Sequence, residues 1–145
     1  MVSTSKPATD PLAADFRNFL YLVWKHLGLG PPTPIQYAIA YELQHGPDRL
    51  IVEAFRGIGK SWITVSYVLW RLYCNPKAER ILVVSAGAAK AEEFTTFCLQ
   101  LIRDVPQLQH LAPREDQRIS NERFDVNGAS PDQAPSVKSV GIFGQ

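Results

Sequence analysis

Ala54-Phe55-Arg56-Gly57-Ile58-Gly59-Lys60-Ser61 is the stretch around which the rest of the chain is organised. A small residue, four variable positions and then Gly-Lys-Ser let the backbone curl until several N–H groups point inward, a geometry suited to a phosphate. The positive N-terminal end of a following helix adds to that field. In such a loop Lys60 reaches the β- and γ-phosphates, and the Ser61 hydroxyl completes the coordination of Mg²⁺. Residues 54–61, with Trp62 directly after them, are therefore the candidate ATP-binding segment, and ATP and Mg²⁺ are the expected ligands. Ala54 stands where such loops usually begin with glycine, and it is small enough to serve.

The flanks decide between a phosphate loop and an ordinary glycine turn. Before it, Arg49-Leu50-Ile51-Val52-Glu53-Ala54 predicts a buried parallel strand in which Glu53 alone is discordant. After it, Trp62, Ile63, Val65, Tyr67, Val68, Leu69, Trp70, Leu72 and Tyr73 leave a helix over 61–74 with almost no polar face, hence one buried on most sides. Asn75-Pro76 breaks the chain, and Ile81-Leu82-Val83-Val84-Ser85 predicts a second buried strand at the distance of one βαβ unit. The fold class expected is α/β: a P-loop NTPase core of the helicase-like (ASCE) kind with a mainly parallel sheet, incomplete in this chain and preceded by two helices.

The first of those helices is expected from about Ala14 to Leu27, because Phe16, Phe19, Leu20, Val23, Trp24 and Leu27 share one face and Gly28 ends it. The second begins at Thr33-Pro34-Ile35-Gln36, where Thr33 caps, Pro34 fits the first helical position and Gln36 completes a capping box; Gly46-Pro47 stops it. Gln36 has a competing reading. In several helicase-like ATPases a Pro-Ile-Gln segment upstream of the P-loop reads adenine, whose edge an amide matches by donating and accepting side by side. Residues 1–12, rich in Ser, Thr, Pro and Ala, are expected to be mobile or extended.

The 145 residues carry a net charge of +1 and are 46% apolar, enough for one domain's core and without the global basic excess that announces a nucleic-acid protein. The distribution is uneven: residues 49–90 hold seven basic and two acidic side chains, whereas 91–145 hold five and eight. Positive charge thus gathers around the loop, where a polyphosphate would need it, unless this is uneven surface decoration. Cys74 and Cys98 lack metal-ligand spacing and suit free thiols in a reducing compartment. With no signal-peptide pattern and no apolar run of membrane-spanning length, a cytoplasmic location is expected.

Ala86-Gly87-Ala88 should turn the chain into a helix over about Ala89–Asp104, with Phe94, Phe97, Cys98, Leu101 and Ile102 as its buried stripe. The turn at Ser85–Lys90 is either a ligand-contacting loop at a strand's carboxyl end or a plain connection. Order is expected to weaken beyond Pro106. Pro113–Arg123 is charged enough for a surface loop, and Arg123–Val126 and Ser136–Ile142 suit two short strands flanking a Gly/Pro/Asn/Asp-rich loop. No apolar strand ending in Asp or Asp-Glu follows Ser61, so the acids that hold Mg²⁺ and orient the attacking water are expected beyond Gln145. Without the strand bearing them, Leu50–Ala54 would expose one edge, and the chain is expected to be poorly stable or self-associating.

Phe55–Ser61 after Thr33-Pro34-Ile35-Gln36, together with Pro135-Ser136-Val137-Lys138-Ser139-Val140-Gly141-Ile142, resembles the large terminase subunit of short-tailed bacteriophages over roughly residues 14–145. The resemblance implies residues 13–145 as the N-terminal part of the ATPase domain of a DNA-packaging motor, with a nuclease domain in the full-length protein. It implies Ala54–Ser61 as the Walker A loop, Gln36 as the adenine contact, and catalytic roles for Lys60 and for Arg56, the latter at the γ-phosphate. A guanidinium can spread its donors over equatorial phosphate oxygens; the alternative reading is that Arg56 pairs with a surface carboxylate or lends only positive field. The implied partners are double-stranded viral DNA, the portal protein, the small terminase subunit and further copies in a ring, in the host cytoplasm and on the procapsid, with no membrane. Two other readings stay open: a helicase-like P-loop ATPase of another class, or a portal-binding module without catalysis.

Overall fold

Two compact units make up the chain, one up to Trp70 and one from Arg71 onward, and the computed structural model describes residues 10–143. The expectation for residues 1–12 therefore falls mostly outside the described residues. Its last members are ordered, because Pro11–Ala14 form a helical turn, α1, capped by the Asp10 carboxylate, which accepts from the Leu12 N–H at 3.0 Å.

Helix α2 spans Phe16–His26. It begins two residues later than expected because Asp15 breaks from α1 into extended backbone and caps α2, accepting from the Arg17 N–H at 2.9 Å. Gln44 fills the break from a distance in sequence: its Oε1 accepts from the Phe16 N–H at 2.9 Å and its Nε2 donates to the Ala14 carbonyl at 3.0 Å. Of the expected stripe, Phe16, Phe19, Leu20, Val23 and Trp24 are buried, while Leu27, the C-terminal cap, is half-buried. Phe16 stacks edge-on against Tyr67 at 5.3 Å and lies 5.5 Å from the Trp70 ring, and the Trp70 indole donates to the Leu12 carbonyl at 2.8 Å.

Helix α3, Pro34–His45, opens with the capping box that its sequence announces. The segment after it departs from expectation. Arg49–Ala54 forms no strand: the three-stranded sheet of the structure is built from other segments, and Ile51 is 86% exposed. A strand exists only where its N–H and C=O groups find a neighbour, and none of the three described strands pairs with this segment. Helix α4, Lys60–Cys74, follows the loop and is buried on most sides from Ile63 onward, as its composition predicts.

In the second unit β1 (Ile81–Gly87) leads into α5 (Ala88–Asp104), and the chain returns as β3 (Val137–Phe143) parallel to β1, with Ile81 opposite Val137 and Val84 opposite Val140. Between them β2, Arg123–Phe124, adds to the other edge of β3 in antiparallel register. The sheet order is β1-β3-β2, so the sheet is mixed rather than mainly parallel. The two short strands foreseen around residues 123–126 and 136–142 are both present.

Two details differ from the sequence reading. β1 alternates instead of being buried throughout, with Leu82 61% and Val84 51% exposed, because α5 covers one face of the sheet and no element of the second unit covers the other at those positions. The buried stripe of α5 consists of Ala91, Thr95, Cys98, Leu99, Leu101 and Ile102, while Phe94 and Phe97 are half-buried. The helix is turned so that the Thr95 hydroxyl meets that of Ser139 at 2.8 Å, a buried pair satisfied by itself.

Order does not weaken at Pro106. A 3₁₀ turn over Pro106–Leu111 buries Leu108 and Leu111. Beyond it Arg118 fastens the polar loop: its guanidinium binds the Asp125 carboxylate at 2.9 and 3.2 Å and donates to the carbonyls of Asp132, Gln133 and Ala134.

Candidate functional site

The Ala54–Ser61 loop takes its shape from two glycines. Gly57 and Gly59 have φ of 95° and 91°, left-handed values that side-chain-bearing residues rarely adopt. A weak turn closes between them and Phe55, whose carbonyl accepts from the Ile58 N–H at 3.4 Å. Ile58, between the glycines, is 6% exposed and anchors the loop in the apolar interior. The Gly59 carbonyl then accepts from Ile63 at 2.9 Å, the first bond of α4, so the loop passes straight into the helix.

Arg56, Gly57, Gly59, Lys60, Ser61 and Trp62 together line an open depression of about 450 Å³. Six of the predicted ligand-contacting residues are thus brought to one place. The Lys60 ammonium folds back across the loop and donates to the Ala54 carbonyl at 2.6 Å, which closes the loop's mouth with a positive charge. Arg56 is exposed, and among the described residues no carboxylate lies within ion-pair distance of it.

Gln36 lies behind the loop rather than in the depression. Its Oε1 accepts from two donors, the Thr33 N–H at 2.9 Å and the Trp24 indole N–H at 3.2 Å, and its Nε2 donates to the Ile58 carbonyl at 2.8 Å. Two donors facing one end of the amide and a carbonyl facing the other fix which end is oxygen. Trp24, 3% exposed, also presents its ring edge-on to Trp62, 6.2 Å away at 86°. Sequence periodicity placed Trp24 only in the core stripe; a buried indole N–H nonetheless needs an acceptor, and that requirement was the available signal.

A single hydroxyl at the head of a helix suits Mg²⁺, which takes most of its oxygens from phosphates and water, and Ser61 provides it. Among the described residues no group of three His, Cys, Asp or Glu side chains is placed to hold a metal, and no helix is long and apolar enough to cross a membrane. Cys98 is buried, which pushes its thiol far above the ordinary range and leaves it inert.

No protein-family model matches the chain. Over 135 residues, 92% of its length, it is 45% identical to a protein of Enterobacteria phage T3 named terminase, large subunit. The chain is a relative of that large terminase subunit. It spans 23% of the terminase subunit's length. The aligned stretch is long enough that the loop, its capping glutamine and most of both units fall within the terminase relationship.

Proposed function

We propose that this chain is a nucleotide-binding part of a viral DNA-packaging motor, in which the Ala54–Ser61 loop of a P-loop ATPase core holds the phosphates of ATP. The observation that carries the reading is the loop itself: left-handed Gly57 and Gly59 and the Lys60 ammonium at the head of a 15-residue helix, in a chain related to a large terminase subunit. Backbone N–H groups and the helix end supply donors and positive potential to a polyphosphate. Lys60 leaves the Ala54 carbonyl for the β- and γ-phosphates, Ser61 contributes one oxygen to Mg²⁺, and Arg56, exposed and without an ion pair among the described residues, serves the γ-phosphate. Coupling of hydrolysis to movement of double-stranded DNA, a nuclease, the portal and small-subunit partners, the ring of copies, and work in the host cytoplasm and on the procapsid belong to the proposal for the whole motor.

Equilibrium binding of MgATP to the parent chain and to Lys60→Ala tests the assignment. Affinity is expected to fall at least tenfold, since an ammonium-to-phosphate contact in a partly desolvated loop is worth about 1.5–3 kcal/mol. Equal affinity would show that the loop is not the phosphate site.

A further inference from the structure

We propose that Trp24 and Gln36 are positioning residues for the phosphate loop, acting as a relay from the Trp24 indole through the Gln36 amide to the Ile58 carbonyl. The inference rests on the phosphate-binding reading of the loop and names what sets its shape. The two bonds of the relay are 3.2 and 2.8 Å long.

The effect follows from the planarity of one peptide. The Ile58 carbonyl and the Gly59 N–H belong to the same trans unit and point in opposite directions. Gln36 draws the carbonyl to its own side, so the Gly59 N–H is turned away from Gln36. Among the described residues that N–H has no acceptor, and Gly59 lines the depression. Without Gln36 the Ile58–Gly59 peptide loses the bond that fixes it, and the backbone freedom of glycine at 59 lets it flip, which would withdraw this donor. A Cβ on Gly59 would press on the Gln36 amide: it would stand 3.3 Å from Gln36 Nε2, close enough that the amide must give by a few tenths of an ångström, and in ordinary contact with the Trp24 ring at 3.8 Å.

Trp24 fixes the amide in turn. Its indole and the Thr33 N–H occupy both lone pairs of Gln36 Oε1, so the amide cannot rotate without stranding a buried indole N–H. The same occupancy removes the acceptor that reading adenine's edge would require. In this arrangement Gln36 governs affinity for the phosphates, whatever base is attached to them.

The test compares MgATP, MgGTP and inorganic tripolyphosphate, by calorimetry, on the whole chain and on Gln36→Met, Trp24→Phe and Gln44→Met. Gln36→Met is expected to weaken all three ligands by a common factor of about ten, and Trp24→Phe, which keeps the ring against Trp62, by about three. Gln44→Met removes the bonds to the Phe16 N–H and the Ala14 carbonyl, which touch neither the relay nor the loop, and is expected to lower the melting temperature while leaving all three affinities unchanged. Trp24→Phe alone decides if Gln36→Met does not fold. A loss confined to MgATP would mean that Gln36 reads the base and would overturn the relay. Unchanged affinities, or losses matched by Gln44→Met, would reduce the relay to scaffolding and overturn it too. Failure of the parent to bind any of the three would appear before any variant is compared, and would sink the phosphate-loop reading together with the relay built on it.

Discussion

Gln36 Nε2 lies 2.8 Å from the main-chain oxygen of Ile58, so the residue that starts a helix also holds the turn between the loop's two glycines. The sequence separates them by 22 positions. The contact explains why the loop keeps a defined shape although Arg49–Ala54, the segment before it, is not held in any strand.

Gly59→Ala should therefore cost more than Gly57→Ala. Both residues have left-handed φ, which costs an alanine roughly 1–2 kcal/mol. A methyl at Gly57 meets open space, whereas one at Gly59 presses on Gln36 Nε2 at 3.3 Å. Chemical denaturation is expected to show similar strain for both, and nucleotide binding a clearly larger loss for Gly59→Ala.

Asp125 makes the second unit's stability sensitive to acid. Burial pushes its carboxyl up, but the Arg118 guanidinium and the Ser136 N–H, which donates at 3.1 Å, outweigh this and hold it below the ordinary carboxylate value. A carboxyl depressed on folding stabilises the fold above its unfolded value near ~4, and the contribution is lost as pH falls through the lower folded value. Asp125→Asn should destabilise by about 1–3 kcal/mol at pH 7, toward the lower end because Arg118 is partly solvated. The gap between parent and variant should shrink below about pH 4. An equal gap in urea titrations at pH 7 and pH 3 would contradict this.

Exposed apolar backbone predicts association. Ile51, 86% exposed on a segment without strand partners, and Leu82 and Val84 on the open face of the sheet give neighbouring copies something to bury. Sedimentation velocity is expected to show concentration-dependent oligomers, reduced by Ile51→Lys. A monomer at all concentrations would remove the expectation.

Replacing Arg56 is expected to separate binding from turnover. Exposed, and with no carboxylate within ion-pair distance among the described residues, Arg56 costs little to redirect toward a γ-phosphate. In the complete motor Arg56→Ala is expected to slow ATP hydrolysis by about 10³-fold or more while weakening nucleotide binding only a few-fold. Unaltered hydrolysis would refute the catalytic role.

What was legible in the sequence was what neighbouring residues decide. Thr33-Pro34-Ile35-Gln36 announces its capping box within four positions, the stripe of α2 is a matter of 3.6-residue spacing, and the glycines at 57 and 59 report their own backbone needs. What depends on distant partners was not. Leu50–Ala54 has strand composition, but pairing is supplied by another segment, and none of the described strands pairs with it. The face of α5 is set by the Thr95–Ser139 hydroxyl pair, 44 positions apart, which hydrophobic spacing alone does not reveal. Gln36 carries two readings in the sequence, capping and the base; its contact with Ile58 is a third that only the folded chain displays.

The most direct measurement is a ¹H–¹⁵N correlation spectrum of the chain titrated with MgATP and then with tripolyphosphate. The expected result is that the backbone amides of Gly57, Gly59, Lys60 and Ser61 move most, and to the same extent for both ligands. Saturable shifts centred elsewhere, or none at all in a folded sample, would contradict the assignment of this loop to phosphate.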